Sequence, residues 1–162
     1  MNKRAHTPTI LLFIVTLILI VVALFSFASF DGEFAKDSKE RSQILEDVAF
    51  LEQYIIKQAE ITGSEIIASG GLIMSNDAIK SRFQENTAKK NLGIEGAEEY
   101  FERIKNGDFV FIYESNGYVF EINYLVISSK SGANSFNRTL GFEIEFDFEG
   151  NVIKIERNKS PI

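Results

Sequence analysis

The 162-residue chain has no cysteine, no tryptophan, two prolines and one histidine. Without cysteine there is no disulfide, no thiolate metal site, no lipoprotein anchor and no thiol nucleophile. The one histidine, His6, lies in the N-terminal tail, so the rest of the chain holds no Ser-His-acid triad and no histidine metal cluster. Basic excess is also missing. All 23 Asp and Glu come after residue 30, with 15 of the 17 Lys and Arg, which leaves a net charge of −8 there against +2 on the tail. Nucleic-acid binding by counterion release needs the opposite sign, so no nucleic-acid partner is expected. Two prolines and 45% hydrophobic residues argue for a packed domain rather than disorder.

Charge is absent altogether between Ile10 and Phe30, a run of Leu, Ile, Val, Phe and Ala interrupted by Thr16, Ser26 and Ser29. At a rise of about 1.5 Å per residue, roughly 20 such residues cross a hydrocarbon core. The run predicts a transmembrane helix over 10–30, with the lipid bilayer as partner, between a basic tail (1–9) and a charged stalk (31–41). A cleavable secretory signal is the rival, with Ser26-Phe27-Ala28 as a small-x-small site. The run is longer than the roughly 7–15 apolar residues usual in such signals. Counting Lys and Arg near the run gives two before it and three after (Lys36, Lys39, Arg41), which alone does not orient it. The amino-terminal charge and the acidic start of the stalk favour a cytoplasmic tail and an outside domain.

The remainder, 42–162, reads as an α+β extracytoplasmic domain. Ile44, Val48, Leu51, Ile55, Ala59, Thr62 and Ile66 form a helical stripe over about 42–69, closed by Gly70-Gly71. It packs either on the domain's own sheet or on a neighbouring copy. Gly63 inside it weakens the helix or permits a close approach. Ser75 is an N-cap for a helix over about 76–91, with Ala78, Ile79 and Phe83 as its apolar face. A third helix, about 95–105, carries Ala97, Tyr100, Phe101 and Ile104 and stops at Asn106-Gly107.

The period then changes to two. Strands are expected at about 108–114, 118–128, 139–148 and 152–157. They form a four-stranded antiparallel meander with helices on its apolar face. Asn116-Gly117 reads as a type I′ turn that pairs Tyr113 with Phe120, Phe111 with Ile122, and Phe109 with Tyr124. Residues 128–137 read as a small-polar loop. Phe142, Ile144, Phe146 and Phe148 alternate with Glu143, Glu145 and Asp147. A two-residue turn at Glu149-Gly150-Asn151 sets Phe146 and its apolar neighbours against Ile153 and Ile155, and an acid against Lys154.

Few residues carry chemistry. Asp147, Glu149 and Asn151 alternate like calcium-loop ligands, but Gly150 falls one position early and no bidentate Glu follows at the right distance, so a hairpin turn is the reading. Glu143, Glu145 and Asp147 have the makings of paired carboxylates. Solubility of an exposed strand face demands the same residues. The glycines do not space as a nucleotide-binding loop. No catalytic residue, cofactor or metal is expected. Asn137 and Asn158 begin Asn-x-Ser/Thr sequons and are candidate glycosylation sites.

The segment Arg4-Ala5-His6-Thr7-Pro8-Thr9-Ile10, running into the apolar stretch, resembles the start of archaeal type IV pilins. In that family a basic residue and Ala or Gly precede a Ser-Pro-Val-Ile-like run. The resemblance implies cleavage between Ala5 and His6 by a prepilin-type peptidase and self-assembly through the N-terminal helix. Residues 41–73 with the final strands are also similar to uncharacterised archaeal single-span surface proteins. The expected function is a non-enzymatic, single-span surface protein or pilin-like filament subunit. The alternative is a monomeric anchored module that binds or senses a ligand.

Overall fold

A computed structural model describes residues 7–70, 74–132 and 134–158, with side chains at 12, 13, 15–27, 34–70, 74–132 and 134–157. The fold is α+β: helices α1 (Thr7–Ala68), α2 (Asn76–Lys89) and α3 (Glu98–Asn106), then strands β1 (Val110–Glu114), β2 (Gly117–Ser131), β3 (Asn134–Phe146) and β4 (Val152–Asn158). The strands form one antiparallel sheet in the order β1-β2-β3-β4, the expected meander. The chain divides into two compact units, residues 1–42 and 43–162.

In the first unit, the backbone from Thr7 onward is helical with no break between the expected span and the expected stalk. Nothing between Thr9 and Ser42 forces one: there is no proline, and Gly32 is the only glycine. Thr16 and Ser26 return their hydroxyls to the carbonyls of Leu12 and Val22, four residues back, so neither leaves a polar group unpaired. Beyond Phe34, Lys36–Glu40 and Asp37–Arg41 are ion pairs at the helical i,i+4 spacing. Among the described residues, no helix is long and apolar enough to cross a membrane. Of the expected span at 10–30, the side chains at 10, 11, 14 and 28–30 lie outside the described residues.

The second unit begins with the remainder of α1. Ile44, Val48, Leu51, Ile55, Ala59, Thr62 and Ile66 are buried, and most of them join the core formed with the sheet. Gly63 lies against the sheet: a Cβ there would lie 2.5 Å from the ring of Phe146 on β3. α2 begins at the expected cap, where Ser75 Oγ accepts from the Ala78 N–H. Ile79 and Phe83 face inward, and Ala78, expected beside them, is exposed. α3 starts later than expected, at Glu98, and ends on Gly107 at φ 77°. The amide of Gln84 closes that end by donating to the carbonyls of Ile104 and Lys105. Phe83 packs on three aromatic side chains of the sheet layer, with ring centroids 5.3 Å from Phe109, 5.3 Å from Phe111 and 4.8 Å from Phe120.

The structure corrects three turns and one strand position. The β1–β2 loop is Ser115-Asn116, with Glu114 opposite Gly117, Tyr113 opposite Tyr118 and Phe111 opposite Phe120. The expected register is thus displaced by two residues on β2, which preserves which face each residue takes but changes every partner. Ser115 and Asn116 are not at positive φ, so the turn is not type I′; Gly117 carries the positive φ, 149°, instead. Gly117 is needed there because a Cβ would sit 1.9 Å from the Phe146 carbonyl oxygen.

Tyr124, expected on the core face opposite Phe109, lies in a β-bulge between Ile122 and Leu125 at φ 57° and is 62% exposed. Arg103 on α3 holds the bulge, donating to the carbonyls of Asn123 at 2.6 Å and Tyr124 at 3.0 Å. The polar stretch 128–137 is not a loop. It extends β2 and β3 into a hairpin arm whose register runs to Ser131 opposite Asn134, since backbone pairing needs no apolar side chains.

The last turn is longer than two residues. The Asp147 N–H donates to the Asn151 carbonyl, and the Asp147 carboxylate accepts from the N–H groups of Glu149 and Asn151 and from the Asn151 amide. A bulge at Ile153 then sets Glu145 opposite Lys154 and Phe146 opposite Val152. The acid–lysine pairing is the expected one; the turn length is not, and Phe146 meets Val152 while Ile153, its expected partner, is 57% exposed, because the bulged residue restores the parity that the longer loop breaks.

Gly117→Val is expected to destabilise the 43–162 unit by about 2 kcal/mol or more, since backbone strain alone costs about 1–3 kcal/mol. Asn116→Ala, at an ordinary φ, is expected to stay within about 0.5 kcal/mol. Urea midpoints read both, and a Gly117→Val midpoint equal to the parent's would contradict this turn geometry.

Candidate functional site

Ala5 and His6, the residues at the expected cleavage, lie outside the described residues. Further along the same helix, Leu12, Phe13, Val15, Leu17 to Val22, Leu24, Phe25 and Phe27 are all exposed. These apolar side chains surround the helix rather than forming one stripe. A helix apolar on all sides is stable only where something other than water covers it. Together they form a run of uncovered apolar side chains.

In the 43–162 unit, the open face of the sheet carries the carboxylates. Glu121 on β2 is opposite Glu143 on β3, which is opposite Glu156 on β4, giving three like charges in one cross-strand row. Partial burial pushes the Glu143 carboxyl above the usual range; Glu121, Glu145 and Glu156 push it further, and Lys154 opposes them. Lys154 lies 2.6 Å from Glu156 and 3.4 Å from Glu145. Asp147, expected to continue this outward series, leaves it for the turn. The Asn151 amide, ahead of the backbone N–H groups, holds its carboxyl below the usual range. The calcium-loop spacing of Asp147, Glu149 and Asn151 therefore serves the hairpin. Among the described residues no group of His, Cys, Asp or Glu is placed to hold a metal ion.

One charged cluster has no counterpart in the sequence pattern. Glu52 on α1 is 3% exposed and lies between two arginines of the sheet, 3.0 Å from Arg138 on β3 and 2.7 Å from Arg157 on β4. A partial signal was present: Glu52 stands four residues after Val48 and three before Ile55, so it belongs to the inward face. Its two partners come from distant strands and could not be named without the fold. Asn137 is exposed on β3 beside Arg138, and the side chain of Asn158 lies outside the described residues.

Among the described residues, open clefts flank the helices of this unit. One, of about 450 Å³, lies between α1, the loop before α3 and the end of the apolar part of β2. The other, of about 470 Å³, lies between α2 and α3. Behind the second, the buried hydroxyls of Thr87 and Tyr100 face each other, and burial raises the Tyr100 pKa strongly. None of the family models, curated proteins or solved structures compared with the chain matches it.

Both charged sites bear on stability. Glu52→Ala is expected to cost about 0.5–1.5 kcal/mol, because it removes the carboxylate shared by Arg138 and Arg157, while both arginines, more than half exposed, regain water. For Glu143, the raised carboxyl pKa means that the folded chain holds a proton that the unfolded chain has lost. Stability therefore falls as pH rises from the ordinary carboxylate pKa through the raised one. Glu143→Gln is expected to raise stability at pH 7 by roughly 0.2–1 kcal/mol and to lose that advantage below the window. Denaturation midpoints of parent and variant across pH 4 to about 7.5 check the sign; a variant less stable at neutral pH would refute it.

Proposed function

We propose that the chain is a non-enzymatic, membrane-anchored surface protein. In this reading residues 10–30 lie in the bilayer, with the tail inside and the 43–162 unit outside. The observation that carries it is the uncharged run from Ile10 to Phe30, together with the exposure of every described side chain from Leu12 to Phe27. Leaving such side chains in water forgoes about 1.5–3 kcal/mol each, so either lipid or other copies must cover them. The acidic open face of the sheet suits a unit that stays in water.

Assembly is the second step of the proposal. The match at Arg4, Ala5, Pro8 and Ile10, with a helix and an antiparallel meander after it, supports a pilin-like subunit whose helix packs with copies of itself after cleavage at Ala5. A monomeric anchored module is the second reading, and the two clefts favour it.

Two measurements separate these readings. Leu17→Arg with Leu19→Arg is expected to release much of the protein from membranes in an alkaline carbonate wash, since each central Arg costs about 2.5–3.5 kcal/mol on insertion scales. Unchanged retention would overturn the anchor. Intact-mass analysis of native protein then tests assembly. A mature chain beginning at His6 that co-sediments with sheared surface material supports the filament. A mass that retains Met1 to Ala5, found with membranes alone, supports the module.

A further inference from the structure

We infer that the cleft beside α1 binds a small organic cation, an alkylammonium whose hydrocarbon arm lies on the apolar floor while its charge meets the acidic rim. The inference is independent of how residues 1–42 are placed, because every lining residue belongs to the 43–162 unit.

The floor is apolar and preformed. Leu51 and Ile94 form it, and Phe50, 60% exposed, forms a wall. The Phe50 ring stacks on Tyr54, with centroids 6.2 Å apart and planes 18° apart. The loop carrying Ile94 is fixed. Gly96 sits at φ 89° where a Cβ would lie 2.3 Å from the Ser128 carbonyl oxygen and 2.7 Å from Leu51, and its N–H donates to Glu98. A wall that is ordered before binding loses little entropy when the ligand arrives.

The rim selects the sign. Asp47, Glu95 and Glu98 face one lysine, Lys130. Asp47 gives one oxygen to the Ser129 hydroxyl and Glu98 gives one to Gly96. Glu95 has no ion pair or hydrogen bond among the described residues, so its carboxylate is available to a cation. An anion would meet three carboxylates and is excluded. A neutral hydrocarbon would gain the floor but nothing from the rim. An ammonium over the exposed Phe50 face gains both the carboxylates and the ring quadrupole. The volume, about 450 Å³, is that of a small-molecule site.

The test uses the full chain in detergent micelles and three probes of one size: n-butylammonium, 1-butanol and butyrate. Binding is read from the amide NMR shifts of Gly96 and Ser129 at low salt. The ammonium is expected to bind about tenfold more tightly than the alcohol, and butyrate not at all. Glu95→Gln is expected to weaken the ammonium about two- to fivefold, the effect of one exposed charge. Phe50→Ala is expected to weaken it by a similar factor, and Lys130→Gln to tighten it. Added salt weakens the ammonium and not the alcohol. Glu95 and Lys130 are exposed, so these variants keep the fold, and unchanged amide spectra elsewhere verify that. Equal affinity for ammonium and alcohol, indifference to both Glu95→Gln and Lys130→Gln, or no shift at Gly96 and Ser129 with any probe would overturn the proposal.

Discussion

The 43–162 unit depends on the burial of one aromatic sheet face beneath helices. Phe111, Phe120, Phe142 and Phe146 point to the same side, and Phe83 of α2 reaches down among them. Large rings leave little room for error. The helix above must come close enough to exclude water, yet the Phe146 ring already occupies the space a side chain would take at position 63. Glycine there costs about 1 kcal/mol of helix propensity relative to alanine, and the close approach it permits seals the layer. Without that seal the phenylalanines would border a gap and forfeit dispersion contacts across it.

Other features depend on holding the layers at that distance. Glu52 sits under the helix between two arginines because the sheet there offers guanidinium groups rather than apolar side chains. Arg103 fixes the β2 bulge from α3, which turns Tyr124 outward and lets Leu125 and Ile127 resume the inward series. Gly96 lets the loop before α3 lie directly on the Ser128 carbonyl, which shapes the cleft beside Phe50. The opposite sheet face is uncovered by any described helix and concentrates charge instead, with the row Glu121, Glu143 and Glu156 tempered by Lys154.

Much of this was legible beforehand, for identifiable reasons. The buried stripe of α1 comes from the recurrence of Ile44, Val48, Leu51 and Ile55 at helical spacing. The inward faces of the strands come from strict alternation at Phe142, Ile144 and Phe146. Caps at Ser75 and Gly107 are local, since each satisfies backbone groups within its own turn. The cleft and the Glu52 cluster were not legible, because their members lie dozens of residues apart and meet only when α1 crosses the sheet.

Alternation along each strand, helical recurrence and local turn chemistry are properties of neighbouring residues, so the sequence by itself determined the α+β class, the meander and most of the inward-facing side chains, though not the exposure of Ala78 and Tyr124. Parity, however, is unchanged by a shift of two. The sequence could not choose between Tyr113 opposite Phe120 and Tyr113 opposite Tyr118, nor foresee that bulges at Tyr124 and Ile153 would reset the pairing. Tertiary packing decided these. Only one register places Gly117 where the Phe146 carbonyl leaves no room for a Cβ, and only in the assembled unit does Arg103 reach the carbonyls of the bulge.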